Sequence, residues 1–350
     1  MTDAPPLPAL PIRDYRQGGL LGYASDHAPK ARLLMDTVLR GFGPAAWALR
    51  QMLPWGDRIA ARRLLRSEDP YREEILAIRQ ALGVPGPVAF ALSYEFGCTA
   101  RGFPDQDVLF RSLDWPFSGL GAIAELVWLR GPAGEWVTVT WPGVAGVLHG
   151  TAPGRFALSL NQAPERQSGF GRAVDWLASR RRGARSFGLP PTHLLRQVFE
   201  TAKDACTARK MLEETEVAAP VIFTLLAPGG EALTIERLEA EAKTQQGALA
   251  ANHFTGRSQG RWRARGFDSH GRMAMAQRFE HPPRLDALQP PVLNPLTRLA
   301  VNMHLDGRLS ACGYEQERPV TAVTETSLPA DARESEPRQH APHRPIASLG

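Results

Sequence analysis

The alternation of apolar and polar positions divides the chain into strand-like and helix-like stretches. Short apolar runs rich in β-branched and aromatic residues predict strands. They lie at residues 88–96, 108–112, 122–130, 136–141, 156–161, 221–226 and 248–254. Helical periodicity appears later in the chain, at residues 192–201 and 206–212. Because strands come in runs and do not alternate strictly with helices, the pattern predicts an α+β fold.

An amphipathic helix is predicted directly after Asp69. Asp69 is a suitable helix cap, and Pro70 suits the first turn. Gly83 then ends the helix. Its apolar stripe consists of Tyr71, Ile75, Ile78 and Leu82.

Residues 31–65 mix apolar side chains with arginines. The pattern predicts short helices, and the breaks are expected at Gly41, Gly43, Pro44 and Pro54. One interpretation is that these helices pack on the core. The alternative is a basic amphipathic face that makes peripheral contact with membranes or lipid aggregates.

The two ends of the chain differ in composition from the middle. Residues 1–29 are rich in proline and glycine, which predicts an extended arm. Residues 317–350 contain few apolar side chains, which predicts a disordered tail.

Composition places the chain among ordinary globular proteins. Of its 350 residues, 43% are hydrophobic and 22% are charged, so a sizeable core can form. The net charge of +5 is carried almost wholly by arginine. The best basic stretch with an aromatic residue, residues 257–265 around Trp262, is interpreted as a solvated loop, and no nucleic-acid partner is expected.

The cysteines and the N-terminus predict the compartment. Cys98, Cys206 and Cys312 are odd in number and far apart, which favours neither a disulfide framework nor a clustered metal site. The first residues do not form a signal peptide, and no apolar run reaches the roughly 20 residues of a membrane span. The expected location is cytoplasmic.

Cys98 is the strongest candidate for chemistry. A single cysteine is most often a small buried apolar residue. Here Gly97 precedes it at the end of a predicted strand, and glycine permits backbone geometries that other residues resist. A second strand follows, and an antiparallel return would bring Arg111 and Asp114 beside Cys98. Without further support, these two residues could equally form an ordinary ion pair.

This neighbourhood suits a nucleophile that is exposed by cutting the chain. A guanidinium near sulfur favours the reactive thiolate, and a carboxylate can hold an amine. If the bond between Gly97 and Cys98 is cut, Cys98 gains an α-amino group with a reference pKa of about 7.7–8.0, which suits a general base. One residue would then supply both nucleophile and base.

These segments resemble a known family, the acid ceramidase and N-acylethanolamine acid amidase branch of the N-terminal nucleophile (Ntn) hydrolases, which is related to choloylglycine hydrolases and penicillin acyltransferase. Residues 69–99, ending in Tyr-Glu-Phe-Gly-Cys-Thr, resemble the stretch before its self-cleavage site. Residues 110–117 resemble its Gly-Arg-Asn-x-Asp-aromatic block. The resemblance implies a four-layer αββα sandwich in which Cys98 is the nucleophile, Arg111 supports substrate and thiolate, and Asp114 binds the freed amine.

Further site residues follow from the same resemblance. Asn161 and Asn252 correspond to oxyanion-hole donors, although the amidase branch often has an acidic residue where Gln162 stands. A family arginine corresponds to Arg272, with Arg265 as a rival. His253 is interpreted as a hydrogen-bonded structural histidine.

The implied activity is hydrolysis of a linear N-acyl amide through an acyl-thioester, after self-cleavage between Gly97 and Cys98. Residues 30–97 would form a helical α-subunit-like segment, and residues 98–316 the catalytic domain. No cofactor is expected, the substrate is a small lipophilic N-acyl amide, and the oligomeric state is open. An acyltransferase of the penicillin acyltransferase type and a non-catalytic lipid-binding relative are the alternatives.

Overall fold

The computed structural model describes residues 5–91, 97–258 and 260–328. Within these residues, two β-sheets are stacked face to face, and helices lie on both outer surfaces. The predicted α+β sandwich is therefore confirmed.

The described strands run from one end of the chain to the other. They are β1 (Ile12–Asp14), β2 (Gly97–Phe103), β3 (Val108–Asp114), β4 (Glu125–Gly131), β5 (Gly134–Thr140), β6 (His149–Ala152), β7 (Phe156–Gln162), β8 (Glu165–Arg166), β9 (Val221–Leu226), β10 (Ala232–Arg237), β11 (Ala242–Gln246), β12 (Leu249–Ala250), β13 (Trp262–Arg263), β14 (Thr297–His304), β15 (Leu309–Glu315), β16 (Arg318–Pro319) and β17 (Thr324–Thr326).

Helices dominate the first part of the described chain and recur between the later strands. They are α1 (Gly19–Asp26), α2 (Ala28–Arg40), α3 (Ala46–Leu65), α4 (Arg72–Leu82), α5 (Pro87–Ala91), α6 (Arg172–Arg185), α7 (Pro191–Thr201), α8 (Ala205–Glu214) and α9 (Ser269–Gln277). No helix among the described residues combines the length and apolar character needed to cross a bilayer.

The two large sheets meet through their inner faces. One has the strand order β1-β4-β5-β6-β7-β9-β10-β11. The other has the order β12-β2-β3-β14-β15-β16, and β17 also pairs with β15. Strands β2 and β3 contact β7 and β9 across the sandwich. Alternate residues of each strand point to this interface, so the main apolar core lies between the sheets.

The outer faces are covered by different segments. Helices α7 and α8 pack on the first sheet. Helix α9 packs on β2 and β12, and residues 279–293 cover an apolar cluster on the outside of β3, β14 and β15.

The N-terminal helices form a body with its own apolar cluster. Ile75, Ile78 and Leu82 of α4 are buried in it with Leu64 of α3, as the predicted stripe requires. Helix α4 begins at Arg72, three residues after Asp69, and the Asp69 carboxylate accepts a hydrogen bond from the backbone N–H of residue 71 in the turn before the helix. Gly83 ends α4 in the left-handed conformation.

Three sequence predictions fail in this region. Helix α3 continues through Pro54, because contacts with α2, α4 and α5 hold it beyond the missing hydrogen bond. The strand predicted at 88–96 is wrong at its start: Pro87 begins helix α5, and the Asp57 carboxylate accepts the N–H of Val88. Residues 92–96 lie outside the described residues. The extended arm predicted for 1–29 contains β1 and α1, because β1 pairs with β4 and α1 buries Tyr23.

The predicted C-terminal tail is also partly wrong. Strand β17 pairs with β15, and Thr326 Oγ1 accepts a hydrogen bond from Trp128 Nε1 at 2.9 Å. Residues 317–328 therefore belong to the folded body, because a sheet edge supplies partners that their weak apolar content could not predict. Residues 329–350 lie outside the described part of the chain.

Polar contacts join the N-terminal helices to the sandwich. Glu125, fully buried on β4, accepts hydrogen bonds from Tyr23 Oη at 2.7 Å and Lys30 Nζ at 2.7 Å. On another face, the buried His193 of α7 contacts the Asp69 carboxylate at 2.5 Å. Burial alone would raise the pKa of Asp69, but the hydrogen bond and charge of His193 outweigh it and lower the pKa. These contacts bridge the two sides of the Gly97–Cys98 junction.

Tyr23→Phe tests the Glu125 contact. In a Cys98→Ala background, which removes the candidate nucleophile, we expect the free energy of unfolding to fall by about 2 kcal/mol, because a buried carboxylate loses a donor. Tyr15→Phe is the control, since its hydroxyl bonds the exposed Asp26 and should matter by less than about 0.5 kcal/mol. Urea unfolding of both variants measures the difference, and equal losses would contradict the prediction.

Candidate active site

The pairing of β2 with β3 builds the centre of the site. The two strands are antiparallel, and their register sets Gly97 opposite Asp114 and Ala100 opposite Arg111. Residues 104–107 connect them, and Asp107 takes the left-handed conformation, which aspartate tolerates. The predicted antiparallel return is confirmed.

Arg111 approaches the sulfur of Cys98 directly. Its Nη2 lies 2.8 Å from Cys98 Sγ and also donates to the carbonyl of Leu160 at 2.7 Å. Its Nη1 contacts His149 Nδ1. Cys98 and His149 are fully buried, and Arg111 is 1% exposed. A guanidinium therefore lies against the thiol in a site closed to water.

Burial controls the protonation of Cys98 in the uncut chain. It raises the pKa of the thiol to about 11, with the charge of Arg111 opposing the rise and the charge of Asp114 adding to it. At neutral pH the sulfur is therefore almost wholly protonated. The thiol must therefore lose its proton before or during any attack.

Arg272 of α9 closes the other side of the junction. Its Nη1 donates to the carbonyl of Cys98 at 2.6 Å and to Thr99 Oγ1 at 2.9 Å, and its Nη2 donates to Asn252 Oδ1 at 2.8 Å. It also forms a fully buried ion pair with Asp114 at 3.4 Å. This one side chain thus contacts four polar groups of the site.

Asp114 is held by groups that sequence motifs did not identify. Asn294 Nδ2 donates to one carboxylate oxygen and Thr297 Oγ1 to the other, each at 3.0 Å. Thr297 begins β14, whose register sets it opposite Asp114. Burial nevertheless raises the pKa of Asp114, although the charge of Arg272 opposes the rise.

Position 97 requires glycine because a side chain there would crowd the neighbouring side chains. Its φ angle is not in the left-handed region, so the expected conformational freedom is not what the junction uses. A Cβ at this position would lie 3.2 Å from Asp114 Oδ2 and 3.6 Å from Asn252 Oδ1. Gly266 packs over the same point, because its own Cβ would lie 3.3 Å from the Cα of Gly97. A side chain at Gly97 would therefore displace the carboxylate beside the junction.

Asn252 binds the nitrogen of Cys98. Its Oδ1 accepts from the backbone N–H of Cys98 at 2.8 Å, and its Nδ2 donates to the carbonyl of Gln162 at 2.8 Å. Because Arg272 and the Cys98 N–H can only donate, they determine which way the amide points. The predicted strand over 248–254 shortens to β12, since the N–H of Asn252 bonds Ser269 Oγ instead of a neighbouring strand.

Asn161 binds the carbonyl of Cys98. Its Nδ2 donates to that oxygen at 3.2 Å and also to the carbonyls of Ala250 and Ala251. Its Oδ1 is buried and has no hydrogen-bond partner among the described residues. Asn161 ends near Cys98 because β7 crosses β2 in the stacked sheets.

The remaining candidates, Arg265 and His253, lie at the edge of the site. Arg265 directs its guanidinium to Glu165 at 3.8 Å, and only its backbone N–H bonds Asn252. The structure thus brings Arg272, and not the side chain of Arg265, to Cys98. His253 contacts Ser269 Oγ at 2.8 Å, and burial, with help from His270 and Arg272, lowers its pKa to about 4. Among the described residues, no group of three or more His, Cys, Asp or Glu side chains is arranged to hold a metal ion.

Solved structures resemble this chain. A Caenorhabditis elegans ortholog of N-acylethanolamine-hydrolyzing acid amidase is 19% identical, with 61% of this chain and 93% of that chain covered and a TM-score of 0.43. A mutant of the conjugated bile acid hydrolase from Clostridium perfringens is 8% identical, with 67% and 92% covered and a TM-score of 0.41. Penicillin V acylase from Agrobacterium tumefaciens is 12% identical, with 62% and 82% covered and a TM-score of 0.34.

No family model matches the chain, and no curated protein matches it.

Arg272→Met tests the buried cluster. In the Cys98→Ala background, we expect the free energy of unfolding at pH 7 to fall by about 3 kcal/mol, because Asp114 loses its buried counter-charge. The pKa of Asp114 should rise further above its ordinary value, so the folded variant takes up a proton before the unfolded chain does as the pH is lowered below 7. The deficit relative to the parent should therefore shrink in that window.

Arg265→Met is the matched control, since its guanidinium lies 3.8 Å from the partly buried Glu165 and the loss should stay below about 1 kcal/mol. Chemical denaturation at several pH values measures both variants. A deficit for Arg272→Met that is as small as the control, or that does not change with pH, would count against the cluster.

Proposed function

We propose that this protein is a cysteine Ntn hydrolase that cleaves the carbon–nitrogen bond of a linear N-acyl amide and activates itself by cutting before Cys98. The observation that carries the proposal is the pair of contacts on one residue. Arg111 Nη2 lies 2.8 Å from the Cys98 sulfur, while Asn252 Oδ1 accepts the Cys98 N–H at 2.8 Å. Nucleophile and future amine are thus both bound by side chains of the same site.

The first reaction is the cut itself. The sulfur of Cys98 adds to the carbonyl carbon of Gly97, the carbon–nitrogen bond between them breaks, and the nitrogen takes up the proton that the thiol loses. Water then hydrolyses the resulting thioester. The products are a carboxylate on Gly97 and a Cys98 with a free thiol and a free α-amine.

The freed α-amine is the base that can deprotonate the thiol. In the uncut chain burial raises the pKa of the thiol to about 11, and a thiol that stays buried after the cut needs a base beside it. An α-amine with a reference pKa of about 7.7–8.0 can take the proton near neutral pH. Asp114 lies next to the junction and Asn252 already accepts from the same nitrogen, so both support the binding of this amine.

Turnover then follows the chemistry of an acyl-thioester. The sulfur attacks the amide carbonyl of the substrate, and the α-amine passes the proton to the leaving amine as the carbon–nitrogen bond breaks. Water attacks the thioester, releasing the carboxylic acid and restoring the thiol. Where water is replaced by an amine, the same intermediate transfers its acyl group, and this is the acyltransferase alternative.

Two asparagines are candidates for stabilising the oxyanion. Loss of one such donor costs about 3–4 kcal/mol in barrier height. In the uncut chain Asn161 Nδ2 donates to the carbonyls of Cys98, Ala250 and Ala251, so an oxyanion role would require it to give up one of these bonds. Asn252 directs its Nδ2 to Gln162, so an oxyanion role would require that bond to break. Holding the amine is the role that its present contacts favour.

An aromatic cluster beside the site supports a lipophilic acyl group. Trp115 follows Asp114 directly, and its ring lies 5.5 Å from Trp141 and 6.0 Å from Phe117, centroid to centroid. Phe42, from the segment before the junction, lies 5.5 Å from Phe117. Trp115 and Trp141 are buried in the core, whereas Phe42 is exposed, so an apolar substituent would gain about 25 cal/mol for each Å² buried at the Phe42 and Phe117 end of the cluster.

Self-cleavage is the decisive test. Intact-mass analysis of the purified protein should show two fragments that separate before Cys98, and the Cys98→Ala chain should stay whole and inactive because it lacks the nucleophile. Cys206→Ala is the control, since this exposed cysteine lies outside the site and its loss should leave cutting and turnover unchanged.

The same preparation should hydrolyse N-acyl amides, and a series of acyl chain lengths with and without an added amine acceptor would separate hydrolysis from acyl transfer. A wild-type chain that stays whole and cleaves no amide would contradict the proposal.

We further propose that α3 makes peripheral contact with anionic lipid surfaces, as one interpretation of residues 31–65 suggests. Trp47 and Trp55 are 74% and 65% exposed on this helix, and exposed Met52 and Ile59 accompany them. The acidic residue of α3, Asp57, is buried against Arg79, so the exposed face combines apolar side chains with arginines. Such a face suits the headgroup region of an anionic bilayer.

Vesicle sedimentation tests this contact. The protein should sediment with vesicles of phosphatidylcholine and phosphatidylglycerol and much less with phosphatidylcholine alone. Trp47→Ser combined with Trp55→Ser should reduce binding at least tenfold, because both apolar anchors are lost. Ile12→Ser, an exposed apolar position on β1, is the control that should bind like the parent. Equal binding by all variants would overturn the assignment to α3.

A further inference from the structure

His149 is a buried group that the proposed chemistry does not use. It begins β6, where the register sets it opposite Ser159 of β7, and its backbone carbonyl accepts from Thr138 Oγ1 at 2.7 Å. Its side chain is fully buried. Its Nδ1 contacts Nη1 of Arg111, which belongs to the other sheet. The contact therefore crosses the interface between the two sheets at the nucleophile.

The chemistry of the pair determines where the proton lies. A guanidinium can only donate, so the imidazole Nδ1 must accept and the proton of the neutral ring lies on Nε2. Burial lowers the pKa of His149 well below its ordinary value, and the charge of Arg111 lowers it further. Nε2 has no hydrogen-bond partner among the described residues, so this tautomer leaves a buried donor unsatisfied. The contact between Nδ1 and Arg111 is the interaction that compensates for this unsatisfied donor.

The groups that accept from Arg111 determine how its guanidinium is oriented. Nη2 reaches Cys98 Sγ and the carbonyl of Leu160, while Nη1 reaches His149. Leu160 and His149 lie on neighbouring strands of one sheet and bind the two ends of the guanidinium. A planar fork bound at two points cannot rotate away from the sulfur.

We propose that His149 is a positioning residue, whose neutral Nδ1 holds the Arg111 guanidinium against the Cys98 sulfur. This role rests on the proposed function, since it matters only if Cys98 attacks. A carboxylate at the same place would bind Arg111 equally well but would add a negative charge beside the developing thiolate. A neutral imidazole fixes the guanidinium without adding that charge.

Substitutions at the δ position test the role. His149→Leu removes the hydrogen-bond acceptor and keeps a side chain of similar size. His149→Asn keeps an acceptor, because its Oδ1 takes the position of Nδ1. The readout is the first-order rate of self-cleavage of freshly translated full-length chain between pH 6 and pH 9, which needs no knowledge of the substrate. The other charged groups near the sulfur, Asp114 and Arg272, stay unchanged.

We expect His149→Leu to cut at least tenfold more slowly at pH 7 and its rate profile to move to higher pH, because a misdirected guanidinium no longer lowers the pKa of the thiol. His149→Asn should stay within about threefold of the parent. His304→Leu is the matched control: this histidine also contacts an arginine, Arg308 at 3.3 Å, but lies opposite Val108 at the far end of β3. Its profile should be unchanged.

The possible outcomes distinguish a failure of the proposed function from a failure of the role of His149. If the parent chain does not cut itself, the proposed function fails and the positioning role fails with it. If the parent cuts and His149→Leu follows the same rate and pH profile, only the role of His149 is overturned. Should His149→Leu not fold, His149→Asn decides, because a folded Asn variant slowed more than tenfold would contradict an acceptor role.

Discussion

The antiparallel register of β2 and β3 is the constraint on which the site depends. It sets Gly97 opposite Asp114 and brings Arg111 to the sulfur of Cys98. A shift by one residue would turn each of these side chains to the opposite face of the sheet and separate them. Stacking against the second sheet then closes the site, because Asn161 and His149 can approach only when that register is kept.

Burial of several charges in one place gives the site its chemical character. Asp114 and Arg272 form a fully buried pair, and hydrogen bonds from Asn294 and Thr297 satisfy the carboxylate. Such a cluster is an expensive way to stabilise a fold. In the proposed cut its value is that the groups are already in place around the Gly97–Cys98 junction, so little reorganisation is needed.

The N-terminal helices and the sandwich depend on each other through buried polar contacts as well as apolar packing. Tyr23 and Lys30 bind Glu125, and Asp69 binds His193. Each of these contacts joins a residue before the proposed cut to a residue after it. They supply a physical reason for residues 5–91 to stay bound to the sandwich after the proposed cut.

The sequence by itself determined the α+β class, the helix after Asp69 and the meeting of Cys98, Arg111 and Asp114, because these follow from periodicity and from one short hairpin. Only the tertiary structure decided that Arg272 and not Arg265 reaches Cys98, that Asn252 binds its nitrogen, and that residues 87–91 are helical. It alone identified His149, Asn294 and Thr297. These choices depend on which distant strands and helices stack on β2, and local propensity carries no information about such contacts.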